Sequence, residues 1–296
     1  MNRAMTLTDW CILLAASVLI GSSFLFVNIT IQEISPFTAA ALRALSALPA
    51  CWVLMRVFGA RWPRARDEWS AFLLLGLMTG AVPYGAVAWG QQHIESGMAG
   101  ILFGTMPILS VLMAPFFLAE ESFTRKRLMG GATGLVGILV LTGPSVLANA
   151  GAQTAALAIT FLAPLGQTLG GIYARKQTGL SPPTIATGQV VVGIVALVPL
   201  AFTVEAPLTV APSAQVIVAT IVSGVLCTAL GASLYFIVVQ RVGATRSTLV
   251  PLFFPVVAVV LGAVVLDERL APEVFIGLVL ILAGAAAVSR GAEQRG

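Results

Sequence analysis

The sequence predicts an all-α integral membrane protein of ten transmembrane helices, built as two inverted five-helix repeats with both termini in the cytoplasm. Three observations predict it. The 296 residues are 58% hydrophobic and only 9% charged, with a mean hydropathy of +0.98, against about 25% charged residues in a soluble domain. The apolar residues gather in runs long enough to cross a bilayer, and the basic residues gather in alternate loops between those runs. Too few polar residues remain to cover a water-facing surface. That excludes an ordinary soluble enzyme, a disordered chain and a nucleic-acid partner.

A helix crossing a hydrocarbon core of ~30 Å needs about 20 apolar residues. Runs of that kind lie near 9–30, 36–56, 69–89, 96–118, 127–146, 155–174, 183–203, 214–238, 246–266 and 273–289. The first is too long for a signal-peptide core and no small-residue cleavage site follows it, so it counts as a span. Helices are required because open strands leave their backbone unsatisfied in lipid, and barrel strands would alternate apolar with polar residues.

Ten spans put both termini on one side. Fourteen of the sixteen Lys and Arg residues lie at the termini or in every second loop, among them Arg3, Arg56, Arg61, Arg64, Arg66 and Arg290. Arg269 falls in an opposite loop and Arg43 within the second span. Basic loops stay in the cytoplasm, and Trp10, Trp52, Trp62 and Trp69 fall near the same predicted boundary, as an interfacial belt does. The basic loop around Arg61, Arg64 and Arg66 also offers contacts to anionic lipid headgroups. The three cysteines, Cys11, Cys51 and Cys227, sit in apolar runs and read as small buried hydrophobes.

Sliding the chain on itself by 147 residues lays Pro36 on Pro183, Glu121 on Glu268, Gly130 on Gly277 and Gly137 on Gly284. Pro107 lands one residue short of Pro255. This divides the chain into a first repeat, 1–147, and a second, 148–296. Five spans is an odd number, so the second repeat must enter the membrane upside down. Inverted repeats of this kind characterise secondary transporters, whose substrate site lies near the midplane where the halves meet.

Ser35-Pro36 with Ala41-Leu42-Arg43, Pro107 with Glu121 and Gly130, and Pro255 with Asp267-Glu268-Arg269-Leu270 and Gly277 together resemble the EamA family of the drug/metabolite transporter superfamily. The resemblance covers nearly the whole chain. Within the family the sequence is similar to the YddG-like exporters of aromatic and other neutral amino acids. It implies a ten-helix carrier of the cytoplasmic (inner) membrane, amino acids as cargo, and outward transport by alternating access. An exporter of lipophilic drugs or other metabolites is a rival within transport. A non-transporting membrane assembly or a scramblase-like protein is the rival from another class.

The residues themselves suggest an uncharged site. Substrate-binding candidates are Ser22 and Asn28 in the first span, Tyr84 and Trp89 in the third, Met106 in the fourth, Gln167 in the sixth, Tyr235 in the eighth and Phe254 in the ninth. Such a pocket holds an apolar group by contact and a polar head by a few hydrogen bonds. Gln167 stands out, because an amide in hydrocarbon needs a partner or water. Arg43 lies about 10 Å inside the membrane boundary. It reads either as a clamp for a substrate carboxylate or as a structural residue paired with Glu33 or Glu95. Pro107 and Pro255 read either as gate hinges or as static kinks.

No span carries a mid-membrane Asp or Glu, and the one histidine, His93, falls near a span end. Uncoupled flux is therefore as compatible with the sequence as proton antiport. The same absence of paired carboxylates, metal-ligand clusters and nucleophile–base pairs speaks against an enzyme, and no cofactor, metal or catalytic residue is expected. The expected partners are a small-molecule substrate and membrane lipids, and a monomer would suffice for this architecture.

Overall fold

The computed structural model describes residues 5–118, 129–137, 139–140, 151–176, 180–205, 211–242, 249–269 and 272–293. Among these residues the secondary structure is helical throughout. Seven helices are long and apolar enough to cross a membrane, which with the apolar exterior makes this a multi-pass membrane protein. They are α1 (Leu7–Ile31), α2 (Pro36–Val57), α3 (Arg66–Gly90), α4 (Ser96–Phe117), α6 (Ala152–Lys176), α7 (Pro182–Val204) and α8 (214–242). Shorter helical stretches are α5 (129–137), α9 (Leu249–Val265) and α10 (Pro272–Glu293), the last with its apolar part at Val274–Gly284. Glu121, the basic run 125–127 and parts of the expected fifth span lie outside the described residues.

Local chemistry sets the helix ends. At the start of α1, Asp9 Oδ2 accepts from the backbone N–H of Thr6 at 2.9 Å, and the Thr6 hydroxyl accepts from Asp9 N at 3.3 Å. This is a reciprocal capping box that satisfies two orphan donors. Helix α2 opens on Pro36, whose missing N–H costs nothing there. It closes on Gly59, at φ 61°, with Gly59 N donating to Arg56 O at 3.2 Å and Ala60 N to Met55 O at 2.8 Å. That paired pattern is a left-handed glycine terminus.

Two helices are not regular. The stretch Leu77–Ala81 of α3 and the stretch Ser223–Leu230 of α8 are π-helical. The two stand about one repeat length apart, at the offset that also superposes Pro36 on Pro183. Helix α4 breaks at Gly104–Thr105 and resumes at Met106. Pro107 therefore sits in the first turn of the resumed helix, where its absent N–H is tolerated, and does not interrupt a continuous one. Pro255 does lie inside α9, and an added Cβ on Gly104 would stand 2.7 Å from its Cγ. The break in α4 thus nests against the proline of α9.

The principal packings are α2 on α7, α4 on α9, α1 on α8 and α9, and α3 on α6 and α7. Glycines permit the closest of these. A methyl group at Gly76 of α3 would lie 2.5 Å from the carbonyl oxygen of Gly188 on α7. Many large apolar side chains face outward, including Leu7, Phe116, Val195, Val264 and Val279. That exterior suits lipid and not water. Trp10, Trp52, Trp62 and Trp69 are exposed as well.

Candidate functional site

A cavity of about 190 Å³ lies inside the bundle, and α1–α4 and α6–α9 all contribute to its wall. Tyr84, Phe103, Met106, Tyr235 and Phe254 give it an aromatic and thioether surface. Its polar groups are Arg43, Thr79, Gln167, Gln189 and Thr228. Among the described residues the wall contains no carboxylate and no histidine. Both π-helical stretches reach it, through Thr79 on α3 and through Cys227 and Thr228 on α8. Such stretches widen the helix by one residue and are frequent at functional sites.

Two polar anchors follow from the local helix geometry. Pro83 has no N–H to offer the carbonyl of Thr79, four residues earlier, and Gln167 Nε2 donates to that oxygen at 2.9 Å. An amide that would be costly in hydrocarbon is thus fixed by a carbonyl that a proline freed. Gln167 Oε1 accepts no hydrogen bond among the described residues and belongs to the cavity wall. Across the cavity, Thr228 Oγ1 donates to Ser223 O at 2.9 Å, a contact five residues back that follows the π geometry. The same hydroxyl accepts from Arg43 Nε at 2.9 Å, and the guanidinium lies over the Tyr84 ring, 4.8 Å from its centroid. Hydrogen bond and cation–π contact fix its orientation together.

A second polar region lies at one end of the bundle. It is an open vestibule of about 610 Å³ lined by Asn28, Gln32, Glu33, Gln91, Gln92, His93, Glu95, Gln215 and Glu268, among others. Three carboxylates at this end cap helices from the other half of the chain. Glu33 accepts from Ser213 N at 2.7 Å and Ser213 Oγ at 2.8 Å, ahead of α8. Glu205 accepts from Phe37 N at 2.9 Å, Thr38 N at 2.8 Å and Thr38 Oγ1 at 2.7 Å, in the first turn of α2. Glu268 accepts from Ser96 N at 2.7 Å and Gly97 N at 3.0 Å, at the start of α4. Asp267, at φ 54°, turns the chain just before it.

Each of these carboxylates satisfies orphan donors and faces the positive end of a helix dipole. The bonds from Ser213 hold the Glu33 carboxyl below its ordinary range. Partial burial and the neighbouring Glu268 push that of Glu95 up. At the opposite end, Arg241 Nε donates to Asp9 Oδ1 at 2.7 Å, and Arg61 forks onto Glu68 at 2.8 and 2.6 Å.

Of the residues singled out from sequence, Arg43, Tyr84, Met106, Gln167, Tyr235 and Phe254 meet around the central cavity. Three lie elsewhere. Ser22 donates to Leu19 O at 2.9 Å and touches Cys227 Sγ at 3.5 Å, behind the wall. Asn28 belongs to the vestibule, where Gln32 Nε2 donates to its Oδ1 at 3.3 Å. Trp89 stacks on His93 with centroids 5.4 Å apart and borders an apolar groove between α3, α6 and α7. Glu33 and Glu95, the partners considered for Arg43, do not meet it. Gln189 and Thr228 join the wall without having been singled out. Gln189 carried the same signal as Gln167, an amide inside an apolar span, whereas nothing local marked Thr228.

The sequence profile of the EamA-like transporter family matches the chain twice, over residues 9–143 and 154–290. The chain belongs to the EamA-like transporter family. Similar proteins include the uncharacterized transporter YoaV of Bacillus subtilis, 21% identical over 273 residues, covering 92% of this chain and 93% of YoaV. A probable terminal-alkyne amino-acid exporter of Streptantibioticus cattleyicolor is 29% identical, covering 78% of this chain and 76% of that protein. The uncharacterized inner membrane transporter YedA of Escherichia coli is 26% identical, covering 94% and 90%. A solved crystal structure superposes with a TM-score of 0.69 over 98% of this chain and 99% of the other, at 17% identity, and so shares the fold. Family and relatives alike point to a membrane transporter of small molecules and away from an enzyme.

Proposed function

We propose that this EamA-family protein is a secondary transporter that exports neutral and aromatic amino acids across the cytoplasmic membrane. The central cavity is its substrate site and alternating access its mechanism. The observation that carries the reading is the cavity itself: helices α1–α4 and α6–α9 converge on one aromatic, amide-bearing space between the two halves. The amino-acid cargo draws support from the relative named as an amino-acid exporter, and the inner membrane from the relative named as residing there.

The ten-span topology and the two inverted repeats, 1–147 and 148–296, belong to the same proposal. They are supported by the double family match, by the two π-helical stretches one repeat apart, and by fourteen basic residues at the termini and in alternate loops. In this reading the vestibule of glutamates faces outward and the Asp9–Arg241 end faces the cytoplasm. The three glutamate caps join the halves at the outer end, and the nested break of α4 and proline of α9 form a bend about which the halves rock. Flux is uncoupled, because no titratable carboxylate or histidine faces the substrate among the described residues.

Radiolabelled amino-acid flux into proteoliposomes, with and without an imposed pH gradient, tests the proposal. Saturable uptake of neutral or aromatic amino acids, indifferent to the gradient, is the expected result. Absence of saturable uptake by the folded protein for every amino acid in the panel would overturn it.

A further inference from the structure

We infer that Arg43 is the specificity-determining residue of the central cavity, binding a carboxylate of the transported molecule, so that the cargo class is carboxylate-bearing metabolites and not amines. The inference rests on the reading of this cavity as the substrate site.

The geometry of Arg43 carries it. The side chain is half-buried and lines the cavity from α2. Its Nε is occupied by Thr228 Oγ1 at 2.9 Å, and a ring face of Tyr84 lies against the guanidinium at 4.8 Å. Both contacts fix the plane of the group and leave its far edge, Nη1 and Nη2, with no partner among the described residues. That edge presents two parallel N–H donors, the fork that matches a carboxylate.

Among the described residues the charge also has no counter-ion. Among the described carboxylates, Asp9 and Glu68 are paired with Arg241 and Arg61. Glu33, Glu205 and Glu268 are spent on Ser213 and on the first turns of α2 and α4. A cation inside the bilayer is costly unless something offsets it, and the ring of Tyr84 offsets only part. A carboxylate arriving with the cargo supplies the rest.

One guanidinium suits a monoanionic carboxylate, whereas a phosphate dianion calls for several cations. Gln167 Oε1 and the Gln189 amide provide acceptors for an ammonium group, and the aromatic wall takes the side chain. An amine without a carboxylate would face Arg43 as a like charge and be rejected.

Three probes separate the groups: L-phenylalanine, 3-phenylpropionate, which lacks the ammonium, and phenylethylamine, which lacks the carboxylate. Binding to the purified full chain is read by ligand-induced thermal shift, and flux by counterflow in proteoliposomes. Wild-type protein is expected to bind the two carboxylates and to ignore phenylethylamine. Arg43→Gln should weaken both carboxylates by about tenfold or more, the loss of one charge-assisted fork. If Arg43→Gln does not fold, Arg43→Lys keeps the charge and loses the fork, and should weaken the carboxylates several-fold.

Unchanged carboxylate affinity in the folded variant overturns the inference and leaves transport standing. So does wild-type binding of phenylethylamine as tight as that of phenylalanine. Carboxylate binding that depends on Arg43, without flux of any probe, upholds Arg43 as a carboxylate-binding residue and overturns the assignment of these probes' class as cargo. Binding of none of the probes overturns the role assigned to Arg43.

Discussion

At the vestibule end, the carboxylates of Glu33, Glu205 and Glu268 each meet backbone or hydroxyl donors on the opposite half of the chain. In the central cavity, Arg43 gives one nitrogen to Thr228 and keeps two without a partner among the described residues. The vestibule is the larger space, about 610 against 190 Å³, and the more polar in its lining. Size and polarity alone would make it the site. What separates the glutamate caps from the cavity groups is where their polar atoms are spent, although Gln91 Oε1 on the vestibule wall is also buried without a partner among the described residues. The glutamates answer to helix termini, whose orphan N–H groups must be satisfied in any case. The cavity holds donors and acceptors in excess of the protein's own needs, and excess capacity is what a ligand can use.

That contrast can be broken by substitution. The largest effect is expected at Glu205, which takes three hydrogen bonds from the start of α2. Glu205→Ala should cost about 2–3 kcal/mol of stability by removing a charged acceptor and stranding two N–H groups. The concentration of substrate giving half-maximal flux should stay unchanged. A shift in that concentration with unaltered thermal stability would mean that the glutamates serve the ligand after all.

Gln167 comes next, because it belongs to both classes, one end tied to Thr79 O and the other facing the cavity. Gln167→Ala should destabilise by about 1–2 kcal/mol, and by clearly less in a Pro83→Ala background, where a backbone N–H is restored. Additive costs in that double-mutant cycle would separate the amide from the proline. The same substitution should also weaken flux if Oε1 meets the cargo.

The smallest effect is expected at Glu95. Its carboxyl is held above the ordinary range of 4.5 by partial burial and the nearby Glu268. A raised carboxyl pKa means that the unfolded chain releases its proton first. Stability is therefore lost as pH rises above 4.5, up to the folded pKa, and the penalty persists beyond it. Glu95→Gln should raise thermal stability at pH 7 by about a few tenths of a kcal/mol, the scale of a solvent-screened charge contact. Well below pH 4.5, where the carboxyl is protonated in both states, the gain should vanish. A gain that persists there would remove the electrostatic cause.

The contrast also shows how far the sequence could be read. The positions of the seven long helices among the described residues were legible, since contiguous apolar stretches bounded by polar residues can hardly be anything else in lipid. The start of α2 at Pro36 coincides with the start of the expected second span, whereas the Thr6–Asp9 capping box that opens α1 two residues before the expected first span was not read from the sequence. Gln167 was legible as an amide that had to find a partner, although its partner, the Thr79 carbonyl, was not. Gln189 could have been read by the same logic. Ser22, Asn28 and Trp89 looked equivalent to Tyr84 and Phe254 in the sequence, yet their side chains lie outside the cavity.

The sequence by itself determined that this chain lives in a membrane, that its helices carry few charges, and that Arg43 is the exceptional one. Those follow from composition and from the backbone's need to bond internally, both of which are local. The tertiary structure alone decided which polar atoms meet one another and which are left for a ligand. A helix that is apolar on every side gives no amphipathic stripe to mark its inner face. The positions of Thr228, the glutamate caps and the edge of Arg43 that has no partner among the described residues depend on helix rotation and on contacts across more than 150 residues of chain, between Glu205 and Phe37 or Arg43 and Thr228.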